Sequence, residues 1–428
     1  MQTVYYPDKS EWNGLLTRPS FTRESLMDTV ARIMDDVKAN GDEALRRYTQ
    51  QFDKVSLSGF RVTDKELDSA LGMCNPALIE AIDIAARNIR KFHSVQLHND
   101  VPVETMPGVK CWREIRPIEK VGLYIPGGSA PLFSSVLMLG IPAIIAGCSR
   151  IILCTPPDSN GNINPAIIVA AKHIGINEIY KVGGIQAIAA MTYGTQTVPA
   201  VYKILGPGNQ YVTAAKQYAS TLGVAIDMPA GPSEVLIMAD STCNPAFVAS
   251  DLLSQAEHGP DSQVILLTCD KTLPGKVEKE IDIQLESLSR KDIAEQSLVH
   301  SRIIVLENIS DMVEISNAYA PEHLIIAMDS ADDIVKDIVN AGSVFLGHYS
   351  PESAGDYASG TNHALPTSGY AKAYSGVSVD SFIKKITFQH ITRNGFELIG
   401  PCIETMASAE FLEAHKFAAT IRLKDKKE

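Results

Sequence analysis

The sequence predicts an α/β protein with two tandem Rossmann-like parallel-sheet units, a helical N-terminal region and a small C-terminal tail. Short apolar runs of strand length alternate with runs of helix length from about residue 120 onwards, and this alternation occurs twice. Before residue 100 the apolar residues follow a helical period instead. Alternating strands and helices are typical of a parallel sheet covered by helices. A chain of 428 residues also has room for more than one domain.

The elements can be placed in chain order. Two long N-terminal helices are predicted, in RESLMDTVARIMDDVKANG and PALIEAIDIAARNIRKFHSVQ. The first sheet unit contains the strand candidates KVGLYI, RIILCT, EIYKV, VYKIL and GVAI, with four helical segments between them. The second contains EVLIMAD, QVILLTC, RIIVLE, HLIIAM and SVFLG, with helices predicted over 245–258, 272–288, 308–320 and 331–339. A long polar loop follows, and the tail is predicted as a strand, FIKKITFQ, and a helix, SAEFLEAHKFAATIRL.

These patterns predict a division into domains. Residues 1–21 form an N-terminal arm, and residues 22–119 together with 232–377 form a catalytic α/β domain. Residues 120–231 form an inserted Rossmann-like domain, and residues 378–428 form the C-terminal tail.

Composition excludes several classes of protein. Acidic residues outnumber basic ones by 50 to 38, so nucleic acid and anionic membranes are unsuitable partners. The start, MQTVYYPDKSEW, lacks the pattern of a secretory signal, and the longest apolar stretch is interrupted by Gly140 and Pro142. Seven cysteines without a C-x-x-C pair are typical of reduced thiols. We therefore expect a cytoplasmic protein.

The stretch LLSQAEHGPDSQ, residues 252–263, is the first candidate site. Gln255 and His258 are three residues apart, so they share one face of the final turn of the predicted helix, while Glu257 points elsewhere. An amide oxygen and an imidazole on one face can form half of a metal site. The alternative is a polar helix end at which the helix dipole favours the histidine.

AYAPEHLIIA is the second candidate, because Glu322 and His323 fall where a helix gives way to a strand. An imidazole is a natural proton acceptor for an alcohol, and a carboxylate can activate water. A simple ion pair in a loop is the alternative.

The loop GDYASGTNHALPT and the tail helix supply further candidates. Asp356 offers a hard oxygen ligand, and His363 is either a ligand or a hydrogen-bond donor to a substrate. Glu410 and His415 are both predicted on the tail helix, where amphipathic surface is the alternative interpretation.

The turns VGLYIPGGSAP, VGGIQA and LGPGNQYV each follow a predicted strand and precede a helix. Glycines at such turns let backbone amides approach a phosphate at a helix N-terminus. None matches G-x-G-x-x-G, so the dinucleotide signal is weak and ordinary tight turns explain the glycines as well.

Taken together, these stretches resemble the histidinol dehydrogenase family from about residue 22 to 422. The block AIDMPAGPSEVLIMAD followed by DLLSQAEHGPDSQ carries most of the resemblance, and APEHL, GDYASGTNHALPT and EFLEAHK follow in the family's order. The resemblance implies Zn²⁺ ligands at Gln255, His258, Asp356 and His415. It implies that Glu322 and His323 are the acid–base pair. It also implies substrate contacts from Ser233, His363 and Glu410, from His323 and from the four metal ligands, and NAD contacts from Tyr124, Gln186 and Asn209.

The resemblance further implies a reaction and an assembly. The family oxidises L-histidinol to L-histidine in two NAD-dependent steps through a bound L-histidinaldehyde, the last steps of histidine biosynthesis. Its members are homodimers in which the tail of one subunit completes the active site of the other. His323 would accept the hydroxyl proton and Glu322 would activate water, and a basic pH optimum is expected because the imidazoles must be neutral.

Three positions depart from the family's usual pattern. Thr361 stands where proline is expected, Ala364 where valine is usual and Phe411 where glycine is common. Three other functions remain open on the residues alone: oxidation of a different amino or sulfonated alcohol, hydrolysis by a zinc-activated water, and nucleotide binding without catalysis.

Overall fold

The structure, a computed structural model, describes residues 1–19, 24–127, 131–229 and 231–425. In chain order its strands are β1 (Gln2–Tyr5), β2 (Val103–Met106), β3 (Val109–Pro117), β4 (Lys120–Tyr124), β5 (Arg150–Thr155), β6 (Glu178–Lys181), β7 (Lys203–Leu205), β8 (Ala225–Ile226), β9 (Glu234–Ala239), β10 (Gln263–Thr268), β11 (Arg302–Val305), β12 (His323–Ala327), β13 (Ser343–Leu346) and β14 (Ile383–Ile391).

The α-helices are α1 (Trp12–Leu15), α2 (Glu24–Asn40), α3 (Asp42–Tyr48), α4 (Asp64–Met73), α5 (Pro76–Ser94), α6 (Phe133–Ala146), α7 (Pro165–Ile174), α8 (Gly184–Tyr193), α9 (Gln210–Thr221), α10 (Pro245–Ala256), α11 (Leu273–Leu285), α12 (Lys291–Val299), α13 (Ile309–Tyr319), α14 (Glu352–Tyr357), α15 (Arg393–Ala409) and α16 (Glu413–Lys424). A π-helical segment spans Thr49–Asp53, and 3₁₀ segments span Ala331–Asp337, Tyr370–Lys372 and Val379–Phe382.

The two predicted parallel sheets are both present, which confirms the fold class. The first has five strands in the order β6-β5-β4-β7-β8, and the second has six in the order β1-β11-β10-β9-β12-β13. Every pairing within these two sheets is parallel. Asparagines cap the connecting helices α7, α9 and α10, each accepting a hydrogen bond from a first-turn backbone N–H.

The N-terminal arm begins with a strand that the sequence pattern did not reveal. β1 pairs with β11 in parallel, from Gln2 opposite Arg302 to Tyr5 opposite Val305. The run QTVY is too short for a recognisable alternation, so only pairing with the edge of the finished sheet defines it as a strand. The arm is therefore part of the six-stranded sheet.

The predicted N-terminal helices pack on the five-stranded unit. Val30, Ile33 and Met34 of α2 are buried in a cluster that includes Ile188 of α8. Ile89 of α5 is buried in the neighbouring cluster, which also contains α6 and α7 residues. The apolar faces of these N-terminal helices therefore pack against elements that come later in the chain. The division into four domains remains a prediction.

A third, antiparallel sheet, in the order β14-β3-β2, joins the tail to the segment before the first unit. β14 was predicted, but the other two strands of this sheet, β2 and β3, were not. β3 runs alongside β14 for nine residue pairs, from Val109 opposite Ile391 to Pro117 opposite Ile383. Trp112 stacks on Phe388 across this pair, with ring centroids 5.6 Å apart.

Three predictions about the C-terminal third were wrong. The predicted tail helix is interrupted: α15 ends at Ala409, Phe411 adopts a left-handed conformation with φ of 60°, and α16 begins at Glu413. The loop after β13 was predicted without regular structure, yet residues 352–357 form the helix α14. α12 also escaped prediction, and the helix predicted over 331–339 is a 3₁₀ segment.

Across the ranges given above, none of the helices combines the length and the apolar character that crossing a membrane requires.

Candidate active site

A cluster of polar side chains lies at the amino edge of the six-stranded sheet. Glu234 and His323 are the first residues of the adjacent strands β9 and β12. α10 connects two parallel strands and therefore runs in the opposite direction, so its C-terminal end returns to the same edge. This geometry brings Gln255 and His258 to the edge where His323 begins its strand. α10 ends at Ala256, two residues earlier than the sequence predicted.

The predicted metal ligands in this region do converge within one chain. One ligand atom each from His258, Glu352 and Asp356 lies within 4.8 Å of the others. The amide nitrogen of Gln255, as placed, is 3.5 Å from His258 Nδ1. Rotating that amide by half a turn lets its nitrogen donate to the Glu352 carboxylate and its oxygen accept from the Glu234 backbone N–H at 3.2 Å. Gln255 and Glu352 are buried, Asp356 is half-buried and His258 is exposed to solvent.

His323 is enclosed by carboxylates. Its Nδ1 lies 3.3 Å from the Glu234 backbone oxygen, 3.7 Å from Glu322 Oε2 and 3.8 Å from Glu352 Oε1. Its Nε2 lies 3.6 Å from Asp356 Oδ1 and is a buried nitrogen without a hydrogen-bond partner. Glu322 in turn accepts a hydrogen bond of 2.9 Å from the Glu234 backbone N–H. One backbone position, Glu234, therefore contacts both predicted acid–base residues.

The electrostatic environment gives these groups unusual proton affinities. Burial raises the pKa of Glu322 to about 7. Burial by itself lowers the pKa of His323, but the carboxylates of Glu352, Glu322 and Asp356 outweigh it and raise that pKa to about 10. Desolvation lowers the pKa of His258, which keeps this imidazole neutral and suited to bind a metal. Perturbed pKa values concentrated in one cleft are typical of a catalytic site.

His363 links this cluster to the five-stranded unit. Its Nε2 lies 3.0 Å from Ser135 Oγ in the first turn of α6, and its Nδ1 lies 3.1 Å from the backbone oxygen of Asp356. The neighbouring Asn362 donates to the backbone oxygen of Met138, also in α6. The predicted substrate-contacting histidine thus lies where the two sheet units meet. Thr361, where proline was expected, shares a hydroxyl contact of 3.2 Å with Ser359.

Ser233 immediately precedes β9, and its backbone oxygen accepts a hydrogen bond from the backbone N–H of Gln263. The residue is half-buried and lies beside Glu234 at the amino edge.

The three predicted cofactor residues lie at the carboxyl edge of the five-stranded sheet. Tyr124 is the last residue of β4, and its hydroxyl accepts a hydrogen bond of 3.1 Å from the backbone N–H of Gly184. Gln186, in the first turn of α8, is 1% exposed and its Oε1 has no hydrogen-bond partner. Asn209 caps α9 by accepting hydrogen bonds from the N–H groups of residues 211 and 212. Helix N-termini and a free amide oxygen leave hydrogen-bonding capacity for a ligand at this edge.

Glycine is required at one of these turns. Gly206 follows β7 with φ of +135°, and a Cβ at this position would collide with the backbone oxygen of Tyr124. The close approach of the two backbones explains the first glycine of the turn LGPGNQYV.

The tail residues lie apart from the cluster within one chain. Glu410 caps the end of α15 and His415 is in the first turns of α16, and both are exposed. Since α15 and α16 are separate helices, the two side chains do not share one helix as predicted. The metal-capable group found among the described residues contains neither of them.

Sequence reasoning missed three residues that shape this site. Glu352 is 1% exposed and faces Gln255, and its spacing of four from Asp356 was the available signal. Glu234 is 2% exposed, and Arg18 of the N-terminal arm pairs with its carboxylate through two nitrogens. Arg18 also donates to the backbone oxygen of Tyr319 at 2.8 Å. Burial of such a pair depends on the tertiary fold, so the sequence carries no local sign of it.

Two α/β units of this kind, with an imidazole–carboxylate cluster where they meet and glycine-rich turns at a strand edge, define the class of a nucleotide-dependent α/β enzyme. The family model described as histidinol dehydrogenase matches residues 16–423. The histidinol dehydrogenase of Bacteroides thetaiotaomicron is 58% identical over 423 residues, 99% of each chain. That of Salmonella typhimurium is 53% identical over 429 residues, 98% of each chain. The crystal structure of histidinol dehydrogenase from Elizabethkingia anophelis has 59% identity and a TM-score of 0.97, covering 99% of this chain and 98% of that one.

The chain therefore belongs to the histidinol dehydrogenase family. The resemblance inferred from its motifs is confirmed, and so is its expected class, an NAD-dependent oxidoreductase.

Proposed function

We propose that this protein oxidises L-histidinol to L-histidine through bound L-histidinaldehyde, using two NAD and one Zn²⁺, in the last steps of histidine biosynthesis in the cytoplasm. The observation that carries the proposal is the packing of His323 against Glu322 at 3.7 Å, beside the convergent side chains of His258 and Asp356. A general base, a second base for water and metal-capable groups then share one cleft.

The donor set suits zinc. Gln255 supplies an amide oxygen, His258 a neutral imidazole and Asp356 a carboxylate, which are ligand types that Zn²⁺ accepts. His415 would be the fourth ligand. When bound, zinc would supply a Lewis acid that orients the amine and imidazole of the substrate. It would not take part in the electron transfer, since it has no redox chemistry of its own.

The residues of the chain divide the remaining work. His323 accepts the proton of the substrate hydroxyl while hydride passes to the nicotinamide. Glu322 activates the water that adds to the aldehyde, and its raised pKa makes it a stronger base than an ordinary glutamate. Ser233 and His363 contact the substrate, and Glu410 favours its cationic group. Tyr124, Gln186 and Asn209 bind NAD at the other sheet.

We expect His415 and Glu410 to come from a second copy of the chain in a homodimer. Both are exposed on the tail, and the large apolar side chains around them are exposed as well: Met406, Phe411, Leu412, Phe417 and Ile421. An exposed apolar surface of this kind indicates a protein interface. A tail that packs on a partner would bury it and would carry the fourth ligand into the partner's cleft.

The reaction is tested by supplying histidinol, NAD and zinc and measuring the reduced nicotinamide formed per substrate. Two per histidinol supports the proposal. One per substrate indicates another alcohol dehydrogenase, and none leaves a zinc hydrolase or a non-catalytic scaffold.

The shared site is tested by mixing His415→Ala chains with His258→Ala chains. If the ligands come from two subunits, each mixed dimer contains one intact site, and activity recovers to about a quarter of wild type because about half of the dimers are mixed. If all four ligands come from one chain, every site stays broken and mixing restores nothing.

A further inference from the structure

Glu352 has no role in the proposed reaction, yet its carboxylate is buried among the candidate metal ligands. It lies four residues before Asp356 on α14, so both carboxylates are on one face of the helix. Its side chain is 1% exposed. Its carboxylate lies against the Gln255 amide, and one of its oxygens is within 4.8 Å of ligand atoms of His258 and Asp356. The carboxylate therefore borders the space where those ligands converge.

A buried carboxylate needs a positive charge nearby, because removing an ion from water is costly. The ion pair that the structure shows for Glu352 is with His323, at 3.8 Å from Nδ1. That imidazole already faces the carboxylates of Glu322 and Asp356. A single imidazole, even when protonated, offsets only one of these three carboxylates, so acidic groups outnumber basic ones in this dry pocket.

A divalent cation balances that excess. Gln255 and His258 are neutral ligands, so Asp356 alone would leave one positive charge uncompensated on a doubly charged ion. A second carboxylate beside the ion neutralises the centre. The buried Nε2 of His323, 3.6 Å from Asp356 and without a hydrogen-bond partner, independently indicates that a group belongs in this pocket.

We propose that Glu352 is a positioning residue of the metal centre: its charge retains the cation, and its contact with Gln255 holds that ligand in place. This inference rests on the proposed zinc dependence. It adds a carboxylate that the family resemblance did not assign and that does not act on the substrate. Residues beside the ligands of a metal typically change its affinity by 10–100-fold when they are altered.

The test is the zinc affinity of the metal-free protein, measured by competition with a chromophoric chelator, for wild type, Glu352→Gln and Glu352→Asp. Glutamine keeps the size of the side chain and removes its charge, so zinc affinity should fall by about 10–100-fold. Aspartate keeps the charge and withdraws it by one methylene, so its loss should be smaller. The matched control is Glu257→Gln, next to His258 in sequence but outside the cluster, which should bind zinc like wild type.

The melting temperature of each metal-free variant separates a local effect from unfolding. Removing a buried charge should leave the metal-free Glu352→Gln protein at least as stable as wild type. Wild-type zinc affinity in Glu352→Gln, or an equal loss in Glu257→Gln, overturns the role of Glu352 and leaves the zinc centre intact. A wild-type chain that does not bind zinc overturns the proposed zinc dependence and this inference with it.

Discussion

The two parallel sheets of this protein present their candidate functional residues at opposite ends. In the five-stranded sheet the predicted cofactor residues Tyr124, Gln186 and Asn209 lie at the carboxyl ends of the strands. In the six-stranded sheet Glu322, His323 and the end of α10 lie at the amino ends. Ligands of open α/β sheets ordinarily bind at the carboxyl ends.

The two edges differ in the helix ends that lie beside them. Helices begin at the carboxyl edge, so glycine turns and N–H groups there suit a phosphate-bearing cofactor. Helices end at the amino edge, where their partial negative charge favours cations. An imidazole with raised pKa and a proposed divalent ion belong at such an edge. Similar sheets can therefore serve different chemistry according to the end that is used.

Replacement of His323 should cause the largest effect at the amino edge. If His323 is the general base as proposed, His323→Asn should lower kcat about 10²–10⁴-fold, because a positioned base contributes that much to proton transfer. KM for NAD should not change, since the proposed cofactor site is on the other sheet. Steady-state kinetics with both substrates measure the two parameters, and a parallel rise in KM for NAD would contradict the separation.

We expect kcat to increase towards basic pH. In the proposed mechanism His323 must be neutral to accept a proton and Glu322 must be ionised to activate water. The pKa of each group is raised, that of Glu322 to about 7 and that of His323 to about 10. The active form of both groups therefore increases as pH rises. A kcat profile with its maximum below about pH 6, under the ordinary histidine pKa, would be incompatible with these roles.

Replacing Arg18 should lower the stability of the protein at the amino edge of the six-stranded sheet. Its guanidinium pairs with the carboxylate of Glu234, whose side chain is 3% exposed, so Arg18→Met leaves a buried charge without its partner. We expect a loss of about 3 kcal/mol in the free energy of unfolding. Arg47→Met, which removes an exposed ion pair with Asp36, is the control and should have a much smaller effect, because solvent screens that pair. Urea unfolding compares them, and equal costs would show that the buried pair has no special importance.

Replacing Gln186 tests whether the carboxyl edge of the five-stranded sheet binds NAD. The amide oxygen is buried and unpartnered, and in Gln186→Met a side chain of similar size replaces it. If that oxygen binds NAD, KM for NAD should rise about tenfold, the equivalent of one hydrogen bond, with kcat nearly unchanged. An unchanged KM together with higher thermal stability would assign Gln186 to the core alone.

The smallest expected effect is at Phe411. This residue has φ of 60° between α15 and α16 and is 90% exposed. Phe411→Gly should stabilise the isolated chain by about 1 kcal/mol, because glycine adopts this conformation without a Cβ clash. If Phe411 contacts a partner subunit, the same change should weaken the dimer instead. Thermal unfolding at several protein concentrations distinguishes the two results.

Sequence patterns were most informative where local periodicity and burial agree. The runs RIILCT, EVLIMAD and QVILLTC are apolar on both faces and became central parallel strands. Elements defined by distant pairing were missed, such as β1, which needs β11, and β3, which needs β14. The tail helix was drawn through Phe411 because helical propensity does not reveal a left-handed residue.

The sequence by itself determined the fold class, the family, and the proximity of Gln255 and His258, since short-range spacing on a helix fixes which side chains are neighbours. Only the tertiary structure decided that Glu352 and Glu234 belong to the same cluster, and that the cluster lies at the amino edge of its sheet. The physical reason is that burial and charge balance are properties of the assembled chain. A carboxylate's surroundings depend on residues that are far from it in sequence, and no local pattern records them.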